Sequence, residues 1–108
     1  MQKEYIVVLV TAKDYTEAET ISRQLLAEKL IACANIVEDV KSLFWWKGKI
    51  DEAAEVLLTA KSRADLFPDL CAMVKKYHSY SVPEVVSLPI TDGNPDYLKW
   101  IDESCRGC

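Results

Sequence analysis

The 108 residues predict an α+β sandwich, ordered β-α-β-β-α-β with a short helix after it. Three observations predict it. A β-branched run opens the chain and leads through a helical repeat straight into a second strand. A long hairpin then turns at a single glycine. A second helical repeat follows and returns to a last short strand. Two crossovers around one hairpin form the split βαβ, ferredoxin-like arrangement, a single sheet with both main helices on one face.

The first strand is Glu4–Ala12, EYIVVLVTA, apolar on both faces as a buried strand is. Thr16-Glu17-Ala18-Glu19 fits a capping box, with the threonine hydroxyl accepting from the Glu19 amide. Ala18, Ile21, Leu25, Leu26 and Leu30 then recur at helical spacing, with Glu17, Arg23, Gln24 and Lys29 toward solvent. Cys33–Val37 follows directly, and its strand runs in the same direction as the first.

Residues 33–61 form the hairpin, folded back at Lys47-Gly48-Lys49, where Gly48 supplies a positive φ. Leu43-Phe44-Trp45-Trp46 shows no polar alternation, so both faces near the turn need cover. The strand from Cys33 to Lys47 spans about 50 Å if unbroken, whereas a compact chain of this length is only about 34 Å across. Either it breaks near Glu38-Asp39, or its apolar tip reaches past its own domain to be buried by a second chain.

Asp65 is the predicted N-cap of the second helix, with Pro68 in its first turn. Leu66, Leu70, Met73, Val74 and Tyr77 form its buried stripe, with Cys71 a packing residue beside it. Glu84–Ile90 is the last strand, and Pro89 marks it as an edge or a bulge. Asn94-Pro95-Asp96 starts the short final helix, which has Tyr97, Leu98, Trp100 and Ile101 to bury. The helix-free sheet face, lined by a strand apolar on both sides, is a second reason to expect an oligomer.

Residues 1–108 are read as one domain. Seventeen acidic against 13 basic side chains give a net charge of −4, which argues against a nucleic-acid partner. Residues 6–10 are too short an apolar run to span a membrane, and no secretory leader is visible, so the four cysteines are read as thiols in a reducing cytoplasm. The chain has one histidine, His78, and no phosphate-cradling loop, so it is read as a non-enzyme.

His78 at a helix C-terminus is either a cation at the dipole end or a ligand. Glu84 pairs with Lys61 or accepts from a ligand. Tyr97 and Trp100 wall a cleft or plug the sheet end. Cys33 is either packing or a ligand. Cys105-Arg106-Gly107-Cys108 has the spacing of a soft-metal chelate or a dithiol.

Lys29–Ile36, Trp46-Lys47-Gly48-Lys49, Glu55–Lys61, His78-Ser79-Tyr80 with Pro83-Glu84, and Tyr97–Ile101 together resemble the CutA divalent-cation tolerance proteins. The resemblance implies a PII-like homotrimer whose long hairpins complete intersubunit sheets. It implies a metal-response role, with copper or another divalent cation as ligand and no cofactor needed for folding. The family's copper site uses a cysteine and two adjacent histidines; their positions here are Val10, Tyr77 and His78. The candidate metal ligands are therefore His78, Cys33, Cys105 and Cys108. A second reading is a PII-like sensor holding a small anionic ligand in intersubunit clefts near Lys61, His78, Tyr80, Glu84 and Trp100. A third is a trimeric scaffold that docks a partner protein.

Overall fold

The computed structural model describes residues 4–107. Its elements are β1 (Tyr5–Ala12), α1 (Tyr15–Ala27), β2 (Cys33–Trp46), β3 (Lys49–Arg63), α2 (Phe67–Tyr77), β4 (Val85–Pro89) and α3 (Pro95–Ser104). The sheet order is β2-β3-β1-β4 and every pairing is antiparallel. β1 and β2 run the same way but do not touch, because β3 is inserted between them. That insertion is the split crossover of a ferredoxin-like fold.

Alternation along β1 sorts the sheet into two faces. Ile6, Val8, Val10 and Ala12 are buried, and Val8, Val10, Leu58 and Ala60 form one core with Ile21 and Leu25 of α1 and Leu70 and Val74 of α2. Val7 and Leu9 point to the other face and are only half-buried. Val86 and Leu88, their partners on the β4 edge, are 47% and 52% exposed.

The hairpin both bends and projects. Val37 pairs with Leu57 and Val40 with Glu55, so Glu38 and Asp39 stand against Val56 alone in a bulge, with Asp39 at φ 61°. The extra residue keeps Val40 on the same face as Val37. Pairing then continues to Trp46–Lys49, and the molecule measures 45 × 26 × 23 Å, its long axis fitting a hairpin arm of this length. The turn is tighter than expected, with Lys47 (φ 51°) and Gly48 (φ 76°) both left-handed and Lys49 already in β3. That is the two-residue turn whose twist matches a hairpin. Toward its tip, Leu43 is 66% exposed, Trp45 73%, Trp46 58% and Ile50 68%.

Three local expectations are corrected. The cap of α1 is Asp14, not Thr16: its Oδ1 accepts from the Glu17 amide at 2.8 Å, and Glu17 accepts in turn from the Lys13 amide at 3.1 Å. The polar-x-x-Glu pattern operates two residues earlier because Asp14 is extended while Thr16 is already helical. Leu26, placed in the buried stripe, is 41% exposed. Asp65 does not cap α2; it lies in a 3-10 turn, Ala64–Leu66, with its carboxylate 3.0 Å from Arg63 Nε.

Arg63 is almost wholly buried and every donor on its guanidinium is engaged. It donates to both Asp65 carboxylate oxygens at 3.0 and 3.3 Å, to the Asp102 side chain at 3.2 Å and carbonyl at 3.4 Å, and to the Arg106 carbonyl at 2.5 Å. The Arg106 amide donates to the Lys29 carbonyl, so the residues after α3 are fastened to the body. The buried charge is the guanidinium itself, since Asp65 is 66% and Asp102 22% exposed. Arg63→Leu should therefore lower stability by about 1–3 kcal/mol, through the acceptors of Asp102 and Arg106 from which it takes a donor, in urea unfolding at fixed chain concentration. A loss below about 1 kcal/mol would show that the clasp is not what holds α3.

Candidate functional site

A buried polar junction forms where β1 ends and α2 turns toward β4. His78, in extended conformation just past α2, carries its ring back against β1. Its Nε2 lies 2.7 Å from the Thr11 carbonyl, and its Nδ1 accepts from the Tyr80 amide at 3.0 Å. A carbonyl can only accept and an amide N–H can only donate, so the ring is neutral with its proton on Nε2. Glu17 Oε1 sits 3.6 Å from Nδ1, and Oε2 accepts from the Ser79 amide at 3.0 Å. Tyr80 donates its hydroxyl to Glu55 Oε2 at 2.9 Å, and its ring lies 4.7 Å from the imidazole.

Burial pushes the Glu17 carboxyl up, but the hydrogen bonds from Ser79 and Lys13 and the proximity of His78 outweigh it, so it titrates below its ordinary value. Burial, the bond to Glu55 and the surrounding carboxylates push Tyr80 up to about 12, so it remains a hydrogen-bond donor rather than a base. Among the described residues, no buried side-chain nitrogen or oxygen lacks a partner. The junction ties β1, α1 and β3 to the end of α2, and its polar groups are closed on one another. A shallow depression of about 260 Å³ beside it is lined by Lys13, Asp14, Thr16, Glu17, Thr20 and Tyr77.

A second cluster lies at the opposite end of the sheet. Cys33 Sγ is 3.5 Å from the Tyr97 hydroxyl, and the hydrogen bond with Cys33, aided by burial, pushes Tyr97 up to about 12. Lys61, directly across from Cys33, donates to Asn35 Oδ1 at 2.7 Å. Trp100 stacks on Tyr97 with ring centroids 5.4 Å apart.

The sequence-predicted ligand residues thus divide between the two ends. His78, Tyr80 and Glu84 are at one, Lys61 and Trp100 at the other. Lys61 is level with Val7, and Glu84 lies one residue before the partner of Val10, a separation of about 13 Å along the strands. The expected Lys61–Glu84 pair therefore does not form within the chain; Lys61 bonds Asn35 instead.

The metal candidates do not converge either. Both nitrogens of His78 are committed, Cys33 is at the far end, and Cys105 is a buried core residue rather than part of a loose tail. Cys108 lies outside the described residues. Val10 is buried in the core and offers no donor. Among the described residues no three histidine, cysteine, aspartate or glutamate side chains could hold a metal ion, so the described residues of one chain do not fit a copper centre.

Glu17, Glu55 and Arg63 were missed as site residues, and Glu17 was placed toward solvent. Its signal was available, since an acid three residues after Asp14 is where a helix cap recruits one.

The family model described as CutA1 divalent ion tolerance protein matches residues 6–104. The rice protein named CutA 1, chloroplastic, is 44% identical over 101 residues, covering 94% of this chain and 57% of the rice protein, so the chain spans little more than half that relative's length. A crystal structure of CutA1 from rice superposes with a TM-score of 0.94 at 42% identity, covering 97% of this chain and 96% of that one. The divalent-cation tolerance protein CutA of Thermus thermophilus is 44% identical over 98 residues, 91% of this chain and 95% of the relative. A structure described as the periplasmic divalent cation tolerance protein CutA from Archaeoglobus fulgidus gives a TM-score of 0.90 at 41% identity, covering 93% and 97%.

Two outcomes follow from the geometry. A carboxyl held below its ordinary 4.5 contributes stability that is complete above that pH and lost as pH falls through the lowered value. Glu17→Gln should cost about 1–2 kcal/mol near neutrality, and the gap to wild type should narrow as pH falls below the ordinary carboxyl range in urea unfolding. An unchanged gap would contradict the assignment. The second outcome concerns thiols: burial, only partly offset by Arg63, pushes the Cys105 thiol up. In a Cys108→Ser chain, half-buried Cys33 and Cys71 should react with a disulfide reagent before Cys105, which should wait for unfolding. Native reaction of all three at one rate would contradict the burial.

Proposed function

The chain belongs to the CutA1 divalent ion tolerance family, and on that premise we propose that it acts in divalent-cation tolerance as a homotrimeric, non-enzymatic module. The observation that carries this reading is the family match over residues 6–104, nearly the whole chain. The apolar arm supports the assembly, because Leu43, Trp45, Trp46 and Ile50 are all more than half exposed in their own chain. The closed hydrogen bonding of the His78 junction supports a role without catalysis.

Because the described donors of one chain do not converge on a copper site, tolerance in this reading does not depend on a resident copper centre built by a single protomer. The chain works in the cytoplasm with unpaired thiols. An anionic-ligand sensor would need neighbouring chains to reunite residues that one chain keeps at opposite ends of its sheet.

Deleting the gene in its host should lower growth at raised copper(II) or another divalent cation, and the wild-type gene should restore it. Trp46→Glu, which puts a charge in the arm, should fail to restore tolerance and should yield smaller or aggregated species. Unchanged growth on deletion would overturn the tolerance role, and full rescue by Trp46→Glu at unchanged mass would overturn the assembly.

A further inference from the structure

We infer that the Tyr80 phenol is a positioning group for the hairpin arm, standing in for the strand neighbour that β3 loses where β1 ends. The inference rests on the homotrimeric reading above and concerns how one copy of the chain presents its arm to another.

The strand register defines where the arm begins. From Leu57 to Lys61, β3 has β2 on one side and β1 on the other. Its last pair with β1 is Ala12–Val56, and on the β2 side the Glu38–Asp39 bulge stands against that same Val56. Glu55 is therefore the first residue toward the tip with no partner on β1, and its partner Val40 is the first beyond the bulge. Both supports of β3 are interrupted at one level. Beyond it, residues 40–46 and 49–55 form a two-stranded ribbon, an arrangement that is marginal on its own and twists readily.

Side-chain packing does not make up the loss. An open depression of about 390 Å³ lies at the root, against Asp39, Val40, Lys41, Glu52, Ala53 and Ala54. Among the described residues, the hydrogen bond that reaches the ribbon from outside the hairpin is the one Tyr80 Oη donates to Glu55 Oε2, at 2.9 Å. Glu55 is buried there although its strand is leaving the body.

Tyr80 is fastened to the body at its other end. Its amide donates to His78 Nδ1 at 3.0 Å, and its ring lies 4.7 Å from the imidazole. The neighbouring Ser79 amide donates to Glu17 of α1 at 3.0 Å. The phenol thus bridges a fastened loop and a ribbon that has lost its neighbours.

Leverage decides whether one bond matters. The arm runs from the Val40–Glu55 pair to the Trp46–Lys49 pair, about 20 Å along the strand. A tilt of about 10° at the root carries Trp45 and Trp46 about 3 Å sideways. An interface packed like a protein interior does not absorb a displacement of that size. A ribbon aimed in advance also loses less freedom on association, so the assembled state is held longer.

The test is subunit exchange in the full-length protein, read by native mass spectrometry after nitrogen-15-labelled and unlabelled samples of each form are mixed. Hydrogen exchange along the arm is read in parallel, on variants that circular dichroism shows to be folded. Tyr80→Phe keeps the ring and removes the hydroxyl. It should speed subunit exchange about tenfold and raise hydrogen exchange in residues 40–55, with Val8 and Leu58 unchanged. Glu55→Ala removes the same bond from the other side and should match it, and the double variant should be no faster than either. Glu55→Gln keeps an acceptor oxygen and should stay within about twofold of wild type. Ser22→Ala removes a buried hydroxyl bond inside α1, to the Ala18 carbonyl, and should leave subunit exchange unchanged. Wild-type rates in Tyr80→Phe and Glu55→Ala, at three times the chain mass, would overturn the positioning role and leave the homotrimer standing. Additive effects in the double variant, or Ser22→Ala as fast as Tyr80→Phe, would overturn it too. A monomeric wild type would overturn both readings, because the arm would have no second copy to meet.

Discussion

The structure depends on a burial deficit in one hairpin. β2 and β3 extend well beyond the helices, and their outer halves carry Leu43, Trp45, Trp46 and Ile50, all more than half exposed. A tryptophan ring has roughly 200 Å² to bury at about 25 cal/mol per Å², so each of these two leaves about 3 kcal/mol unrealised in the isolated chain. Net stabilities of whole domains are only about 5–15 kcal/mol. An exposed surface of this size on an edge hairpin is also an invitation to uncontrolled pairing. The open sheet face, with Val86 and Leu88 half-exposed, adds to the same deficit. In the proposed homotrimer, association of identical chains would resolve both at once.

Two polar clusters then fix what the arm springs from. At one end of the sheet, Arg63 gathers Asp65, Asp102 and the Arg106 carbonyl, locking α3 and the residues after it to β3. At the other, His78, Glu17, Tyr80 and Glu55 join α1, the end of α2 and the arm root. Both are buried and satisfied, so both give direction as well as energy: a guanidinium with five committed donors, or an imidazole with both nitrogens committed, tolerates one arrangement only.

Much of the fold was legible because period and punctuation are local. Alternation in β1, the helical stripe through Ile21 and Leu25, Gly48 at the turn and Pro89 on an edge strand each follow from a few neighbouring residues. The bulge was half-legible, since chain length demanded a break or a projection and the structure uses both. The site was less legible. Arg63 finds Asp102 and Arg106 about forty residues away, and Glu55 meets Tyr80 across two elements, so no window along the chain contains either whole cluster. Lys61 and Glu84 are close in the imagined order of strands but opposite in register, which only the pairing reveals. Cys105 read as tail chemistry because it is near the end of the chain, whereas Arg63 draws that end into the core.

The central claim is that this hairpin is completed by other copies of the same chain. Sedimentation equilibrium of the wild-type protein at micromolar concentration tests it most directly. The account predicts a single species of three times the chain mass, and a well-folded monomer under the same conditions would contradict it.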